Sequence, residues 1–351
     1  MNSRERIFTA LERKEPDRVP LMELGIDQRT ISFMSKNCSY LDFIERVGLD
    51  AVVISEVRDA GNLGWIDKKK KIFRDKWGTI WRLTTESFPF PIESPIKSEE
   101  HLKAYSLPDP YALDTLGILP EAIKRFKGEK AIAWLGPADF NISWYLRGMD
   151  NLLMDYVLRP RSAKKIANMC MEYYVEFHKR LIEEGVEIII LGDDYAYKNG
   201  PLMSPGQFKE FILPFLKKIV ANIKKQGAYC IKHTDGNIWK IIDWIVDTGI
   251  DGIGPLEPGA GMDLHKVKEK NGNKVCVIGN IDVNLLSRAP VERIINETKR
   301  IIARVSPSGG HIMSSGNSIS SSVKPENFLA MIETTKKYGT YPIKNIENIY
   351  E

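Results

Sequence analysis

The stretch AYCIKHTDG, residues 228–236, contains the unit from which most of the chain is built. It begins with an apolar, β-prone run at 228–232 and ends in polar residues, and an amphipathic pattern typical of a helix follows at 237–248. The same order recurs elsewhere, for example at 187–191, which precedes a helical pattern at 206–225. Such alternation is typical of a parallel sheet whose strands are connected by helices.

Eight apolar runs of this kind can be assigned to strands. They lie at 19–22, 50–54, 131–135, 187–191, 228–232, 250–253, 275–278 and 311–313. Eight parallel strands with helices between them predict an α/β fold of the closed (β/α)8, or TIM, barrel type. An open, doubly wound sheet is the alternative. That fold usually has a glycine-rich turn after its first strand, and this sequence has none at that point.

The whole chain, 1–351, is expected to form one domain, with an insertion. The segment 57–130, between the second and third predicted strands, is longer than one loop and one helix require. It contains WGTIWRL at 77–83, which predicts a small hairpin, and several prolines around 89–110. We therefore expect 57–130 to lie over the barrel mouth, the end at which the strands finish.

Composition narrows the class of protein. The chain has 351 residues, 43% hydrophobic and 27% charged, and its formal net charge of +4 gives no overall reason to expect nucleic acid or a membrane surface as a partner. The N-terminus is charged, and no window approaches the length of a membrane-spanning helix, so a cytoplasmic protein is expected. The widely spaced Cys38, Cys170, Cys230 and Cys276 predict reduced thiols, with Cys230 and Cys276 packed inside strands.

Polar side chains follow every predicted strand. The candidates are Glu23, Glu56, Asp139, Asp193, Asp194, His233, Asp235, Glu257, Asn280, Asp282 and Asn317. Because the strands of a barrel all end at the same rim, we expect these groups to converge on one cavity. Asp235 and Asp282 have a second interpretation, as N-caps of the helices that follow them.

The strongest candidates are a histidine and its acidic neighbours. His233 ends a strand beside Asp235, no helical pattern starts directly behind Asp194, and Glu257 is held between two prolines. Such a set could bind Zn²⁺, or it could perform general acid–base catalysis without a metal, and spacing does not separate the two. A nucleophilic serine or cysteine is not expected, because the sequence has no GxSxG motif and no cysteine near the rim.

Six short segments carry a family resemblance. They are 4–6, 15–20, 200–205 with Phe208, Phe211 and Pro214, 232–237, 278–282 and 325–327. In their order and spacing they resemble motifs of the uroporphyrinogen decarboxylase superfamily, along nearly the whole chain. Members of that superfamily either remove acetate carboxyls from uroporphyrinogen or move methyl groups between a corrinoid protein and a small thiol or methyl donor, commonly with Zn²⁺.

The sequence departs from the decarboxylase branch at its substrate clamp. That branch carries Arg-Gln-Ala-Gly-Arg near the N-terminus, whose arginines meet the carboxylates of the substrate. Here residues 24–29 are LGIDQR, with one arginine and an added acid. Ser55-Glu56 replaces the Ser-Asp of the decarboxylases, and Asn317 stands at the position of their C-terminal histidine. We expect the loss of the cationic clamp to weaken binding of a substrate with many carboxylates.

The sequence also departs from the zinc-thiolate methyltransferases of the superfamily. Those proteins use His-x-Cys on strand five and a later cysteine on strand eight. This chain retains His233 but has Asp235 and Asn317 at the two cysteine positions. The resemblance therefore implies an oxygen-rich metal site, similar to that branch of the superfamily which includes O-demethylating methyltransferases of anaerobes.

The function that the resemblance implies is methyl transfer between a small donor, such as a methoxylated compound, and a corrinoid carried by a partner protein. His233 and Glu257 would be Zn²⁺ ligands or an acid pair, with Asp194 and Asp235 supporting them in catalysis. The residues expected to bind substrate are Glu23, Glu56, Asp139, Asp193, Asn280 and Asn317.

Several alternatives stay open at this point. The enzyme could instead decarboxylate uroporphyrinogen or a smaller acid, or the barrel could bind a corrinoid or tetrapyrrole without turning it over. Trp77, Trp81, Trp134 and Trp144 could line an aromatic pocket or pack in the core. A homodimer is compatible with the sequence.

Overall fold

The computed structural model describes residues 1–55, 64–84, 89–112 and 116–343. Its strands are β1 (Ala51–Ser55), β2 (Gly64–Asp67), β3 (Ile72–Arg74), β4 (Ile80–Arg82), β5 (Phe90–Glu93), β6 (Ala131–Gly136), β7 (Ile188–Leu191), β8 (Ala196–Tyr197), β9 (Gly200–Pro201), β10 (Tyr229–Lys232), β11 (Gly252–Ile253), β12 (Cys276–Ile278) and β13 (His311–Ile312). Its α-helices are α1 (Ser3–Leu11), α2 (Gln28–Met34), α3 (Tyr40–Val47), α4 (Glu99–Ala104), α5 (Leu119–Phe126), α6 (Asp139–Arg147), α7 (Met149–Leu158), α8 (Pro160–Glu184), α9 (Pro205–Phe211), α10 (Leu213–Lys225), α11 (Ile242–Val246), α12 (Leu264–Asn271), α13 (Val283–Arg288), α14 (Val291–Val305) and α15 (Pro325–Tyr338).

The centre of the fold is a seven-stranded sheet in the order β1-β6-β7-β10-β11-β12-β13. Every neighbouring pair in it is parallel. The strands appear in space in the order in which they appear along the chain, and helices connect them, which is the topology of a (β/α)8 barrel. Seven of the predicted apolar runs are these strands, so the α/β barrel prediction is confirmed.

The remaining predicted strand, 19–22, closes the barrel without forming a regular strand. Leu21 makes a parallel bridge with Met313, and its carbonyl oxygen accepts a hydrogen bond from the Asp50 N–H at 2.8 Å. The segment therefore lies between β13 and β1. The Asp50 carboxylate is fully buried at the base of the barrel and accepts hydrogen bonds from Arg6, Arg18 and the Leu21 N–H, which fixes this junction.

Side chains of the parallel strands alternate between two cores. Inside the barrel, buried alternate residues pack together, including Val53, Ala133, Ile190, Ile231 and Ile278, and Ile7 and Leu11 of α1 close the lower end. Their strand neighbours face outward and pack against the helices; they include Val52, Ile132, Ile189, Cys230 and Val277. The buried thiols of Cys230 and Cys276 are core residues, as predicted.

The N-cap of α1 is Asn2, which forms a reciprocal capping box with Glu5. One prediction about the helices is wrong in detail. The helical pattern at 206–225 forms two helices, α9 and α10, because Pro214 has no N–H to donate to the Glu210 carbonyl and its ring crowds that carbonyl. The proline is tolerated in the first turn of α10, and the break falls at Ile212. Within the described residues, no helix combines the length and the apolar character needed to span a membrane.

The insertion between β1 and β6 contains a four-stranded antiparallel sheet, β2-β3-β4-β5. The predicted hairpin at 77–83 is displaced: its strands are β3 and β4, and Trp77 lies in the turn between them. The turn packs on α8, where Lys76 Nζ donates to the Tyr173 hydroxyl at 2.8 Å, and the Thr79 hydroxyl donates to the Tyr145 carbonyl of α6 at 3.3 Å. The sheet is thus attached to the helices that follow β6.

A substitution on the outer face of β7 is expected to test this packing. Ile189→Ala removes a fully buried side chain and should lower the free energy of unfolding by about 2–5 kcal/mol through the cavity it leaves. Ile189→Val, the matched control, should cost about 0.5–1.5 kcal/mol. Urea denaturation followed by circular dichroism measures both values. Equal and negligible losses would contradict the burial of this face.

Candidate active site

Three predicted residues come together at the mouth of the barrel. Asp194 follows β7, while His233 and Asp235 follow β10, the neighbouring strand. One ligand atom from each of these three side chains lies within 4.8 Å of the others. His233 is buried, and the two aspartates are half-buried, so the group lies at the edge of the protein interior. This arrangement agrees with the convergence expected from the strand ends.

Hydrogen bonds fix this group in place. Asn317 Nδ2 donates to both carboxylate oxygens of Asp235 at 2.9 Å, and Asp194 Oδ1 accepts the Asp235 N–H at 2.9 Å. His233 Nε2 lies 3.5 Å from Asp235 Oδ1. The other ring nitrogen, His233 Nδ1, is buried, and no hydrogen-bond partner for it occurs among the residues that the structure describes. Nε2 is therefore the ring nitrogen of His233 that faces Asp235.

Glu257 borders the three residues through the backbone. Its Oε2 accepts the Gly236 N–H at 3.0 Å, and Gly236 has φ +81°, a conformation that favours glycine. A Cβ at Gly236 would come within 2.5 Å of the Ala196 carbonyl carbon. Burial raises the pKa of Asp235, the His233 charge opposes this shift, and the nearby Asp194 and Glu257 carboxylates add to it.

Glu23, predicted to bind substrate, is too deeply buried to contact one directly. Its side chain is 2% exposed, and burial raises the pKa of its carboxyl to about 8. Glu23 Oε1 accepts the Ser315 N–H at 2.9 Å, and Glu23 Oε2 lies 2.5 Å from Ser315 Oγ. Glu23 thus joins the first segment of the barrel to the segment that carries Asn317.

Asp193, predicted to bind substrate, lies behind the barrel wall instead. It has no exposed surface, and its carboxylate accepts the backbone N–H groups of Ala138 and Phe140 at 2.8 and 2.9 Å. Asp193 thereby holds the start of α6 against the end of β7. The preceding residues of β7 alternate between the two cores, and this alternation places Asp193 on the outer side and Asp194 at the mouth.

Lys232 is a site residue that the sequence reasoning missed. It is fully buried, and its ammonium group donates to the backbone carbonyls of Leu191 at 3.1 Å, Asp193 at 2.6 Å, and His233. These carbonyls belong to the ends of β7 and β10. Burial lowers the pKa of Lys232 to about 8, although the Asp193 charge opposes the shift. A lysine at the end of an otherwise apolar strand was the available signal.

Asp139, also predicted to bind substrate, is fully buried at the first position of α6. Burial raises its pKa well above the usual range, and the neighbouring Asp193 carboxylate adds to this effect. Neither carboxylate oxygen has a hydrogen-bond partner within the described part of the chain. Without an exposed surface, Asp139 cannot contact a substrate directly in this conformation.

The other predicted residues have identifiable positions. Asn280 Nδ2 donates to the carbonyls of Leu256 and Met262 at 2.9 and 3.3 Å, so its amide connects the segments after β11 and β12. Asp282 is the N-cap of α13, one of the two roles that the sequence offered for it, and accepts the Asn284 N–H at 2.6 Å. Glu56 lies outside the described residues.

The tryptophans do not form an aromatic wall around the site. Trp77 packs on aromatic residues of α8, Trp134 packs on Phe177, and Trp81 donates through Nε1 to Asp75 at 2.7 Å; all three are buried. Trp144 is half-buried and donates to Asn141 Oδ1 at 3.2 Å. Asn141 Oδ1 also accepts the Asp194 N–H at 3.3 Å, so Trp144 borders the site.

The donor set fits a zinc ion. Zn²⁺ binds histidine nitrogen and carboxylate oxygen, and catalytic zinc sites use three protein ligands and leave one position open. Asp194, His233 and Asp235 supply one nitrogen and two carboxylates at compatible separations. The same groups can act as a proton-transfer set, because His233 and Asp235 face each other at 3.5 Å. Both kinds of chemistry belong to enzymes, and the barrel mouth is where enzymes of this fold act.

Comparison with known proteins identifies the family. The model of the family described as Uroporphyrinogen decarboxylase (URO-D) matches residues 82–338. The chain therefore belongs to the uroporphyrinogen decarboxylase family. Among its curated relatives, the uroporphyrinogen decarboxylase of Dechloromonas aromatica is 24% identical over 263 residues, which cover 70% of this chain and 71% of the relative. The uroporphyrinogen decarboxylase of Geobacter metallireducens is 26% identical over 271 residues, covering 72% and 74%.

A solved structure shares the fold along almost the whole chain. It is a methyltransferase from Methanosarcina mazei, with a TM-score of 0.76 and 18% sequence identity, and the match covers 96% of this chain and 99% of that one. At this level of identity, the likeness establishes the fold alone. Together with the family match it confirms the predicted superfamily and barrel architecture.

Metal binding by the three residues can be tested directly. We expect the protein to bind Co²⁺ or Zn²⁺ at a single site, and His233→Ala to abolish binding, because the only nitrogen ligand in the group is lost. Cys230→Ala should bind metal like the wild type, since this thiol is buried in the outer core. Isothermal titration calorimetry measures both. Loss of binding in the cysteine variant would contradict the assignment.

The buried ammonium group should contribute strongly to stability. Lys232→Met leaves the carbonyls of Leu191, Asp193 and His233 without their donor and removes the buried cation whose charge favours the ionised Asp193 carboxylate. We expect a loss of about 3–5 kcal/mol in the free energy of unfolding. Lys224→Met, which removes a half-exposed partner of Asp251, is the control and should cost about 0–1 kcal/mol. Similar losses in the two variants would argue against the role of Lys232.

Proposed function

We propose that this protein transfers a methyl group from a small oxygen-bound donor, such as a methoxylated compound, to a corrinoid carried by a partner protein. The observation that carries the proposal is the group formed by Asp194, His233 and Asp235 at the barrel mouth. It offers nitrogen and oxygen ligands and no thiol. Such a set suits activation of a departing oxygen better than activation of a thiol substrate.

The acidic character of the site argues against a substrate with many carboxylates. Asp194, Asp235 and Glu257 are carboxylates, and Asn317 is neutral. Arg29, the one arginine of the segment 24–29, pairs with Asp27 through Nε at 3.1 Å and through an N–H group of its guanidinium at 3.0 Å. A polycarboxylate approaching this mouth would meet like charges, and the arginine would first have to leave its partner.

The proposed reaction requires the site to stabilise negative charge on the departing oxygen. The bond between the methyl carbon and the oxygen of the donor breaks, its electron pair stays on oxygen, and the methyl group passes to the nucleophile carried by the partner. The oxygen then takes a proton and leaves as a hydroxyl group. Since negative charge develops on that oxygen, the protein must supply a cation or an acid beside it.

The chain can meet this demand in two ways. Asp194, His233 and Asp235 would hold Zn²⁺, which supplies Lewis acidity at the departing oxygen when bound. Alternatively, a protonated His233, held at 3.5 Å from Asp235, donates its proton to that oxygen. In both cases the Asn317 amide keeps Asp235 oriented. Glu257 is the next carboxylate available as a ligand or acid, as the sequence suggested.

Decarboxylation is the second candidate. It is favoured by the curated relatives, which are uroporphyrinogen decarboxylases at 24% and 26% identity. A carboxy-lyase of this family would use the same barrel mouth. The two candidates predict opposite results with uroporphyrinogen and with a methyl donor, so they can be separated by assay.

We expect His233→Ala, Asp194→Asn and Glu257→Gln to abolish methyl transfer while lowering stability by no more than roughly 1–2 kcal/mol. Asp282→Asn is the matched control, because Asp282 lies on the same rim but caps α13, and asparagine caps a helix equally well. The assay follows demethylation of a panel of methoxylated compounds with a reduced corrinoid protein. Thermal melts give the stability. Full activity in the His233 variant would overturn the site assignment.

The same preparation should not convert uroporphyrinogen III to coproporphyrinogen at enzymatic rates. Liquid chromatography of the porphyrins formed after oxidation measures this conversion, with a uroporphyrinogen decarboxylase from the family as the positive control. Conversion at a rate comparable with that control, lost in His233→Ala, would favour the decarboxylase candidate over methyl transfer.

A further inference from the structure

The hydrogen bonds around Glu23 do not balance if its carboxyl group is ionised. The Ser315 hydroxyl has one proton, and two oxygens lie within reach of it: Glu23 Oε2 at 2.5 Å and the Asn317 carbonyl. The carbonyl can only accept. The Ser314 hydroxyl cannot supply the missing proton. It also has only one proton for two acceptors, and the nearer is the Ser315 carbonyl at 3.0 Å, whereas Glu23 Oε2 is 3.4 Å away. One more proton is needed between Glu23 and Ser315.

We infer that Glu23 is a protonated positioning residue: its carboxyl donates to Ser315 Oγ, and the Ser315 hydroxyl donates to the Asn317 carbonyl. A chain of hydrogen bonds then runs from the first barrel segment to Asn317, whose side-chain amide holds both oxygens of Asp235. Glu23 acts through Asn317 and contacts no group of the proposed reaction itself. Its positioning role rests on the proposed function of the Asp235 site, whereas its protonation does not.

The surroundings of Glu23 favour the neutral acid. The side chain is 2% exposed, and no lysine or arginine pairs with it in the part of the chain that the structure describes. Among the described residues, the titratable group whose charge state is coupled to Glu23 is Tyr40 of α3, and its hydroxyl donates to the Val53 carbonyl at 2.8 Å and so offers Glu23 no proton. Burial accordingly raises the pKa of Glu23 to about 8.

Loss of the Glu23 proton would disturb the candidate site through Ser315 and Asn317. An ionised Glu23 accepts the hydrogen bond of the Ser315 hydroxyl, and the Asn317 carbonyl then faces a lone pair of Ser315 Oγ. The 315–317 segment has to move to relieve this contact. Asn317 would move with it and release Asp235. The order of the site should therefore decline as the pH rises through about 8.

Two variants test whether Glu23 is needed as a hydrogen-bond donor or as an ionised carboxylate. Glu23→Gln keeps an N–H donor for Ser315 Oγ and an acceptor for the Ser315 N–H, so we expect its Co²⁺ affinity to stay within about threefold of the wild type. Glu23→Leu removes both and leaves Asn317, the direct partner of Asp235, without its support. Loss of such a partner typically costs about 10–100-fold in metal affinity, which sets the upper range that we expect for the weakening of Co²⁺ binding. The visible spectrum of bound Co²⁺ reports the geometry of the site in each variant. Equal losses in the two variants would overturn the inference, because an ionised carboxylate would then be the required group.

Two further measurements do not depend on metal or methyl transfer. The infrared difference spectrum between the wild type and Glu23→Gln at pH 7 should contain a protonated carboxylic acid band, whereas any band from Asp139, whose pKa is also raised, cancels because both proteins contain it. Since the folded pKa of Glu23 is raised from 4.5 to about 8, its contribution to wild-type stability is fully present below about pH 4.5 and is lost as the pH rises to about 8, and Glu23→Gln should remove this slope. Absence of the band together with parallel stability profiles would refute the protonated state, even if methyl transfer is confirmed. Presence of both would support it even if methyl transfer fails.

Discussion

The alternation of side chains along β10 is the constraint on which the candidate site depends. Successive residues of a strand point to opposite faces, so Cys230 and Lys232 face outward while Ile231 faces the interior, with His233 next in the same register. The outward Lys232 joins the ends of two strands through their carbonyls, and His233 lies at the mouth beside Asp194 and Asp235. A shift of one residue would exchange these positions and place an ammonium group in the mouth and a histidine in the outer core.

The same alternation gives the adjacent residues Asp193 and Asp194 different positions and different roles. Asp193 faces the back of the wall, where its carboxylate holds the start of α6. Asp194, the next residue, faces the mouth beside His233. The charge behind the wall is held by backbone N–H groups and compensated by Lys232, whereas the charge at the mouth is half-exposed and available to a ligand. Of these two adjacent acids, one therefore stabilises the scaffold and the other belongs to the candidate site.

The fold and the centre of the site were predictable because each depends on short-range patterns. Apolar runs located seven strands, and the fixed polarity of a barrel then brought Asp194, His233 and Asp235 together. The roles of Asp139 and Asp193 were not predictable in this way, because they depend on tertiary partners, such as the Ala138 and Phe140 N–H groups that hold the Asp193 carboxylate. The partnership of Glu23 with Ser315 could not be found either, because barrel closure brings together residues from opposite ends of the sequence. The β2–β5 sheet was only partly visible, as its strands are short and half-exposed.

The buried Asp50 junction gives the two ends of the barrel separate duties. At the base, one carboxylate receives Arg6, Arg18 and the Leu21 N–H, and this ion cluster closes the ring far along the strands from Asp194 and His233. The contacts that close the ring at the base thus do not involve Asp194, His233 or Asp235. A laboratory-evolution library confined to the loops around these three residues should retain the barrel, whereas one that reached Asp50 would lose most of its clones to misfolding.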